Sequence, residues 1–400
     1  MKEKNAPKSR KGLLLILTLG VFSIINTEMG VVGILPLISR EYGVEISEAG
    51  LLVSLFALAV AVSGPILPLL FSRFDRKKVM LAVLGVFTAC NLVSVFAVNF
   101  PVLLAARVLP AFFQPIYVSM AFSMAASSVE PSQAPKAVSR VMMGVSAGMV
   151  LGVPVVSTIA DVFSIQAGML FFTALNLISL LAAAFFLPHL PVEKPKSYGA
   201  QLSVLKRSGT WLSILGVVFL NGAVFGVYSY LSEFLGTVTG LSAGTVSVVL
   251  FLYGLANIVG NAVAGRALSG KAVPFVLAFP LALAALYVLF LLGGSLTVPA
   301  VLLVLLWGVL AGCGGNINQY WITAAAPDAP EFANGLFLAA TNLGTTIGTT
   351  VCGFFLSALG ARFLAVGGLL MLAAAILLLA LRARQLRGGH ARTLVPEPNS

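Results

Sequence analysis

The feature that most constrains this chain is its succession of long apolar runs, separated by short polar connectors. A membrane-spanning helix needs about 20 mostly apolar residues. The sequence has 400 residues, of which 59% are hydrophobic and only 9% are charged, whereas soluble domains are about 25% charged. These figures exclude a soluble enzyme, a disordered protein and a disulfide scaffold, and they predict an all-α polytopic membrane protein. The runs lie near 13–37, 49–71, 78–98, 102–126, 138–160, 165–187, 211–235, 243–265, 273–293, 298–321, 332–357 and 362–381.

The basic residues predict the orientation of these twelve spans. In a twelve-span arrangement, 21 of the 24 Lys and Arg residues fall on one side of the membrane, while Arg40 and Arg362 fall on the other and Arg107 lies within a span. Cytoplasmic connectors are enriched in Lys and Arg. We therefore expect a multi-pass protein of the plasma (inner) membrane with both termini in the cytoplasm. Because topology accounts for the net charge of +11, no nucleic-acid partner is expected.

The longest polar stretch, Pro188–Thr210, divides the chain into two sets of six spans. The second part of this stretch has the composition of a short amphipathic helix on the membrane surface. The predicted units are a cytoplasmic tail at 1–12, a six-helix bundle at 13–187, a central connector at 188–210, a second six-helix bundle at 211–381 and a tail at 382–400.

Small residues repeat between the two halves at a fixed offset. Gly144, Gly148 and Gly152 of the fifth span correspond to Ala340, Gly344 and Gly348 of the eleventh, each 196 residues later. Parallel repeats of this kind place a substrate site between them near the bilayer midplane. Small residues at this spacing also allow helices to pack closely, and both roles are compatible.

Four stretches resemble the major facilitator superfamily, specifically its twelve-span drug:proton antiporter branch, over nearly the whole chain. The first is Thr27–Pro36 in the first span, and the second runs from Ser63 through the basic cluster of the second-to-third connector, which ends at Lys78. The others are Arg107 in the fourth span and the glycines of the fifth span followed by Pro154. The chain departs from the family at Ser72, where an Asp is usual, at Asp75, where a Gly is usual, and at Pro110-Ala111, where Gln-Gly is usual.

The resemblance implies two pseudo-symmetric bundles that alternate access to a central site, with export of a small organic molecule such as a drug, sugar or nucleobase. It also implies conformational or gating roles for residues in the second-to-third connector and the fifth span. These residues are Gly64, Arg73, Arg76, Gly144, Gly148, Gly152 and Pro154.

Glu28 and Arg107 are the ionisable residues deepest in the spans. An unpaired carboxylate at such a depth costs about 2.5–3.5 kcal/mol on insertion scales, and intramembrane ionisable residues usually serve function. We therefore expect Glu28 to couple proton movement to transport, with Arg107 holding it ionised until a proton or substrate competes. The alternatives are that Glu28 is a structural partner of Arg107 or a hydroxyl, and that Arg107 anchors backbone carbonyls.

Amide and aromatic side chains in the spans are candidates for substrate contact, because amides are unfavourable in lipid without partners. Helix-to-helix hydrogen bonding and simple packing are the alternatives. Further amides at Asn257, Asn261 and Asn316 are expected to face a cavity or another helix. The predicted substrate-binding residues are Asn221, Tyr228, Asn318, Gln319, Asn342, Phe113 and Tyr117.

The leading functional hypothesis is a monomeric secondary transporter that exchanges a small molecule for protons. Import by proton symport or by facilitated diffusion is the alternative within the same class. An intramembrane enzyme is disfavoured, since both histidines lie in polar segments, and a receptor would need a larger signalling surface than these loops offer. No metal or cofactor is expected. Gly265–Lys271 nearly matches a phosphate-binding loop, but Ala272 stands where Ser or Thr is required.

Overall fold

The computed structural model describes residues 6–188 and 197–392, and this part of the chain is built of helices. Ten of them precede the connector: α1 Ala6–Gly30, α2 Leu35–Tyr42, α3 Ile46–Ala49, α4 Leu51–Ser63, α5 Leu67–Phe71, α6 Arg76–Val95, α7 Phe100–Ala111, α8 Gln114–Ser127, α9 Ala134–Val162 and α10 Ile165–Phe186. The remainder are α11 Tyr198–Leu202, α12 Ser208–Tyr228, α13 Leu231–Thr237, α14 Ala243–Gly293, α15 Thr297–Ala325, α16 Pro330–Leu359 and α17 Leu364–Arg392.

These helices make twelve membrane segments, which confirms the predicted fold class. In the described residues, ten helical segments are long and apolar enough to cross a bilayer. One of them, α14, has non-helical backbone at Lys271 (φ −117°, ψ 67°) and so contains both the eighth and the ninth span. The short apolar helix α4 continues through Gly64-Pro65-Ile66 into α5 and forms the second span. Helices are required in lipid because each backbone N–H and C=O must be bonded within the segment.

Several spans are interrupted near their middle. The first span passes from α1 through a 3₁₀ turn at Val31–Ile34 into α2. The fourth span breaks between α7 and α8, where Pro110 and Pro115 flank the break. Proline removes a backbone donor and crowds the preceding turn, which explains this second break. The interruptions bring helix ends, with their unpaired backbone groups, into the interior of the first half.

The predicted glycine repeat packs the same pair of helices in each half. Gly144 and Gly148 of α9 lie against α1 at Thr18 and at Phe22 and Ile25, while Gly152 lies against Asn26 and Gly30. In the second half, Gly344 lies against Val218 of α12, and Gly348 lies against Gly222 and Gly226. Positions 22, 26 and 30 plus 196 are 218, 222 and 226, so the offset found in the sequence also holds for the partners. The small residues therefore let the first and fifth spans, and likewise the seventh and eleventh, approach closely.

The central connector lies against the first half. Residues 189–196 of the predicted 188–210 connector are outside the described residues. After them, the Tyr198 hydroxyl donates to the Leu70 carbonyl (3.1 Å), and Gln201 donates from Nε2 to the Ser72 hydroxyl (2.9 Å). This part of the connector forms the five-residue helix α11, followed by a 3₁₀ turn, and α11 turns its Gln201 toward the first half.

The two halves meet on the side of the membrane where α1 begins and α17 ends, which we call the terminal side. Helix α9 packs against α14 from Val150 and Gly254 near mid-membrane to Ser139 and Gly265 at the terminal side. These contacts close the terminal side between the fifth and eighth spans.

Candidate functional site

Glu28 lies where two interrupted spans meet. It is two residues before the end of α1, and its side chain is partly exposed. Gln114, the first residue of α8, donates from Nε2 to Glu28 Oε2 at 2.8 Å. Gln114 itself is 4% exposed. The break in the fourth span thus supplies a hydrogen-bond partner for the carboxylate predicted to carry protons.

Arg107 lies beside this pair but is held by other groups. Its side chain is 1% exposed, and Nη2 donates to the carbonyl of Thr27. That carbonyl is in the last turn of α1, where carbonyls lack helical partners. The guanidinium carbon also lies 5.2 Å from the centre of the Phe172 ring. Within the described residues no Arg107 nitrogen is within 4 Å of a Glu28 carboxylate oxygen, so in this state Arg107 anchors a carbonyl rather than forming an ion pair with Glu28.

Buried polar atoms without partners are found on Arg107 and on two asparagines that contact Thr27. Arg107 Nε and Nη1 have no hydrogen-bond partner, nor do the side-chain oxygens of Asn91 and Asn176. The Asn176 amide nitrogen donates to Thr27 Oγ1 at 2.8 Å, which places it on the residue whose carbonyl Arg107 holds. Unsatisfied donors and acceptors side by side are the usual setting of internal water. The site therefore contains buried polar atoms that are not used in hydrogen bonds between protein groups.

In the second half, three of the predicted amides bond to groups on other helices. Asn221 donates from Nδ2 to the Thr341 carbonyl (2.7 Å) and to Thr345 Oγ1 (3.0 Å), and it accepts a bond from Asn318 Nδ2 (3.2 Å). Gln319 donates to Asn334 Oδ1 at 2.8 Å. These bonds tie the seventh, tenth and eleventh spans together. The structure thus joins Asn221 with Asn318 and places Gln319 in a separate pair.

Asn342 is the predicted amide without a cross-helix bond from its side-chain nitrogen. Its Nδ2 donates to the Leu338 carbonyl of its own helix at 2.8 Å, and the residue is partly exposed. Its amide nitrogen therefore does not tie the eleventh span to a neighbouring helix.

Tyr228 belongs to an aromatic cluster in the second half. Its ring stacks on Tyr253 with centroids 4.8 Å apart, and Trp307 packs edge-on against both rings. In the first half, Phe113 lies at the break before α8 and is partly buried. Tyr117 is fully buried against Gly20, where any side chain would overlap its hydroxyl. The structure therefore makes Tyr117 part of the packing of α8 on α1 and leaves Tyr228 at the edge of an aromatic wall.

A polar network crosses between the halves at the fifth, eighth and tenth spans. Ser146 Oγ donates to Asn257 Oδ1 (2.6 Å) and accepts from Asn261 Nδ2 (2.7 Å). Asn316 donates to Asn261 Oδ1 (2.6 Å). We call these four residues the interbundle network. Asn257, Asn261 and Asn316 thus bond to a neighbouring helix, one of the two arrangements expected from the sequence.

The predicted gating residues Gly64 and Arg76 lie at a second contact between the halves. A side chain on Gly335 of the eleventh span would overlap the Gly64 carbonyl. Arg76 forms an ion pair with Glu331, and Ser119 Oγ donates to the Glu331 carbonyl at 2.6 Å. Two spans of the first half therefore hold Glu331 of α16: Arg76 of α6 binds its side chain, and Ser119 of α8 binds its backbone carbonyl.

Arg73 and Pro154 lie apart from that contact. The Arg73 guanidinium lies over the Tyr198 ring at 4.0 Å, and so helps hold the connector on the first half. Pro154 is exposed on α9, and the Thr158 hydroxyl donates to its carbonyl at 2.8 Å. Among the gating candidates, then, the three glycines of the fifth span pack within the first half. Gly64 and Arg76, by contrast, contact the second half.

Sequence reasoning did not identify Gln114, Glu331 or Ser146. The prolines at 110 and 115 are the signal that would have placed Gln114 at a helix start inside the membrane. Glu331 follows a proline that begins α16, and it is 5% exposed. Ser146 carries no local signal, because its partners are more than 100 residues away.

Comparison with known proteins supports a single family. The family model described as the Major Facilitator Superfamily matches residues 17–331. The chain is 32% identical over 383 residues to the uncharacterized MFS-type transporter YtbD of Bacillus subtilis (strain 168), covering 93% of this chain and 96% of the relative. It is 28% identical over 377 residues to the inner membrane transport protein YdhP of Escherichia coli (strain K12), with the same coverage of 93% and 96%.

Two solved structures share the fold. The human organic anion transporter MFSD10 (TETRAN) superposes with a TM-score of 0.76 at 19% identity, covering 92% of this chain and 99% of that one. The E. coli fucose:proton symporter FucP superposes with a TM-score of 0.77 at 14% identity, covering 95% and 99%. These two structures show the fold, and the family model and the relatives establish that this chain is a multi-span membrane protein that belongs to the Major Facilitator Superfamily of transporters.

Proposed function

We propose that this protein is a proton-coupled exporter that exchanges a small organic molecule for protons by alternating access. It works as a monomer in the inner membrane. Both termini lie in the cytoplasm, as the distribution of Lys and Arg predicts. The family supplies the transporter class and the small-molecule substrate. Proton coupling, direction and the substrate-binding residues are the proposed parts.

The observation that carries the proposal is the setting of Glu28. Glu28 is half-buried deep in a span, and its carboxylate is bonded to an amide and not paired with the nearby guanidinium. A carboxylate locked in an ion pair would resist protonation, whereas one bonded to a neutral amide keeps an oxygen for a proton. Arg107 supplies a fixed positive charge that draws Glu28, or a substrate group, when the surroundings change.

The proposed cycle follows from these contacts. With the terminal side closed by the interbundle network and by Arg76–Glu331, the site opens to the outside, and a proton there bonds to Glu28 as substrate leaves. The neutral carboxyl group permits the two halves to rock, because burying a neutral group in a dry interior requires less free energy than burying a charged one. On the inside the proton is released, and the site accepts the next substrate molecule.

Purified protein in liposomes that contain a pH-sensitive dye tests the proposal. A cationic dye, a sugar and a nucleobase are added outside in turn, and the internal pH is followed. Exchange predicts that entry of a substrate makes the interior more alkaline as protons leave, and that Glu28→Gln abolishes the change. Acidification of the interior would instead indicate symport, and substrate uptake without a pH change would indicate facilitated diffusion.

A further inference from the structure

Gln114 is a buried amide with an unusual imbalance of hydrogen bonds. Its nitrogen Nε2 donates to Glu28 Oε2 at 2.8 Å. Its oxygen Oε1 is buried and has no hydrogen-bond partner. Most buried polar atoms in proteins are bonded, so an amide oxygen left free beside a titratable carboxyl group requires an explanation.

The two ends of the amide are nearly the same size and shape, and rotation about the last side-chain bond exchanges them. An ionised carboxylate accepts hydrogen bonds only, so it pairs with Nε2. A protonated carboxyl group has an O–H to donate, so it pairs with Oε1. Because no hydrogen bond anchors Oε1 in the described structure, this rotation breaks no bond other than the one to Glu28 and keeps the heavy atoms in contact.

We propose that Gln114 is a positioning residue that keeps Glu28 hydrogen-bonded in both of its protonation states by reversing its amide. The proposal rests on the proposed proton-coupling role of Glu28. When a proton bonds to a carboxylate oxygen of Glu28, the amide turns and accepts the new O–H at Oε1. When the proton leaves, the amide turns back and donates from Nε2.

The surrounding groups favour this assignment. Arg107, on α7, lies beside Glu28, but its guanidinium donates to the carbonyl of the preceding residue, Thr27, instead of to Glu28. An arginine has donors only, so it cannot accept from a protonated Glu28. Gln114, on α8, offers both a donor and an acceptor within reach of the carboxyl group.

Infrared difference spectroscopy of the full-length protein in lipid tests this proposal without a substrate. Acidification produces a carbonyl band from protonated Glu28, which is identified by its loss in Glu28→Gln. In Gln114→Met, which keeps the length but removes both hydrogen-bonding atoms, we expect the band to move to higher frequency because the carboxyl group has lost its acceptor. Gln201→Met removes another buried amide, in the connector, and should leave the band in place.

The exchanged pair Glu28→Gln with Gln114→Glu is the second test, and it also serves if Gln114→Met folds poorly. It keeps one carboxyl and one amide in the same contact, so a carbonyl band should return near the wild-type frequency. An unchanged band in Gln114→Met, or no band in the exchanged pair, would overturn the role of Gln114 alone. If no band depends on Glu28 at any accessible pH, the proposed coupling fails together with it.

Discussion

Replacing Ser146 by alanine should favour opening of the terminal side. Ser146 makes two hydrogen bonds across the halves, to Asn257 at 2.6 Å and from Asn261 at 2.7 Å. Side-chain hydrogen bonds inside membrane proteins average about 0.6 kcal/mol, so the loss of two weakens the closed state by about 1.2 kcal/mol. That energy corresponds to a roughly eightfold shift in the ratio of closed to open molecules.

Spin labels at two exposed positions on the terminal side can measure this ratio. The backbone of Lys136 packs against Gly265, so labels at 136 and 266 are close when this side is closed. The cysteines at 90, 313 and 352 are first replaced. The fraction at short distance, measured by pulsed electron resonance, should fall in Ser146→Ala in line with the eightfold change in the ratio.

Ser213→Ala is the matched control for this experiment. Ser213 is also buried, but its hydroxyl donates to Gly209 in its own helix, so its loss should not alter the balance between the states. If Ser146→Ala and Ser213→Ala gave the same distance distribution as the parent protein, the interbundle network would not stabilise the closed state, and the reasoning would be refuted.

Two further predictions concern other contacts of the halves. Glu331→Gln removes the ion-pair partner of Arg76 and should shift the same distance distribution toward the open state. Adding Arg76→Gln to this variant should shift the distribution little further, because the two residues act as a pair. Additive effects of the two substitutions would contradict this prediction. Gly348→Ala places a methyl group onto the Gly222 carbonyl and should lower the free energy of unfolding by about 1–3 kcal/mol. In Gly152→Ala the methyl group would lie 3.2 Å from the Gly30 nitrogen, so the loss of stability should be smaller. Equal melting temperatures for the two alanine variants would argue against the contacts described here.

Much of the fold could be predicted from the sequence because lipid leaves few choices. Apolar runs of sufficient length must be helices, and the offset of 196 residues marked the small residues of the fifth and eleventh spans that allow close packing, although their partner helices became known only from the structure. The eighth and ninth spans meet at Lys271, where the backbone is non-helical, within the connector predicted between them. Helical backbone extends through Gly270, so this connector is shorter than the stretch predicted between the two spans.

The site could be predicted only in part. Glu28 and Arg107 were evident because ionisable residues are rare within spans. Their partners were not, since hydrogen bonds between distant segments leave no pattern in the chain. Asn221 and Asn342 look alike in sequence, yet one crosses to a neighbouring span and the other bonds to its own helix.

The central claim is that Glu28 carries the proton that drives transport, and Glu28→Gln tests it most directly when two activities are compared. Exchange of labelled for unlabelled substrate across liposomes at equal pH requires binding and rocking of the halves but no net proton movement. Accumulation driven by an imposed pH gradient requires the proton as well. The account predicts that Glu28→Gln retains exchange and loses accumulation. Accumulation by Glu28→Gln with the wild-type dependence on the gradient would contradict it.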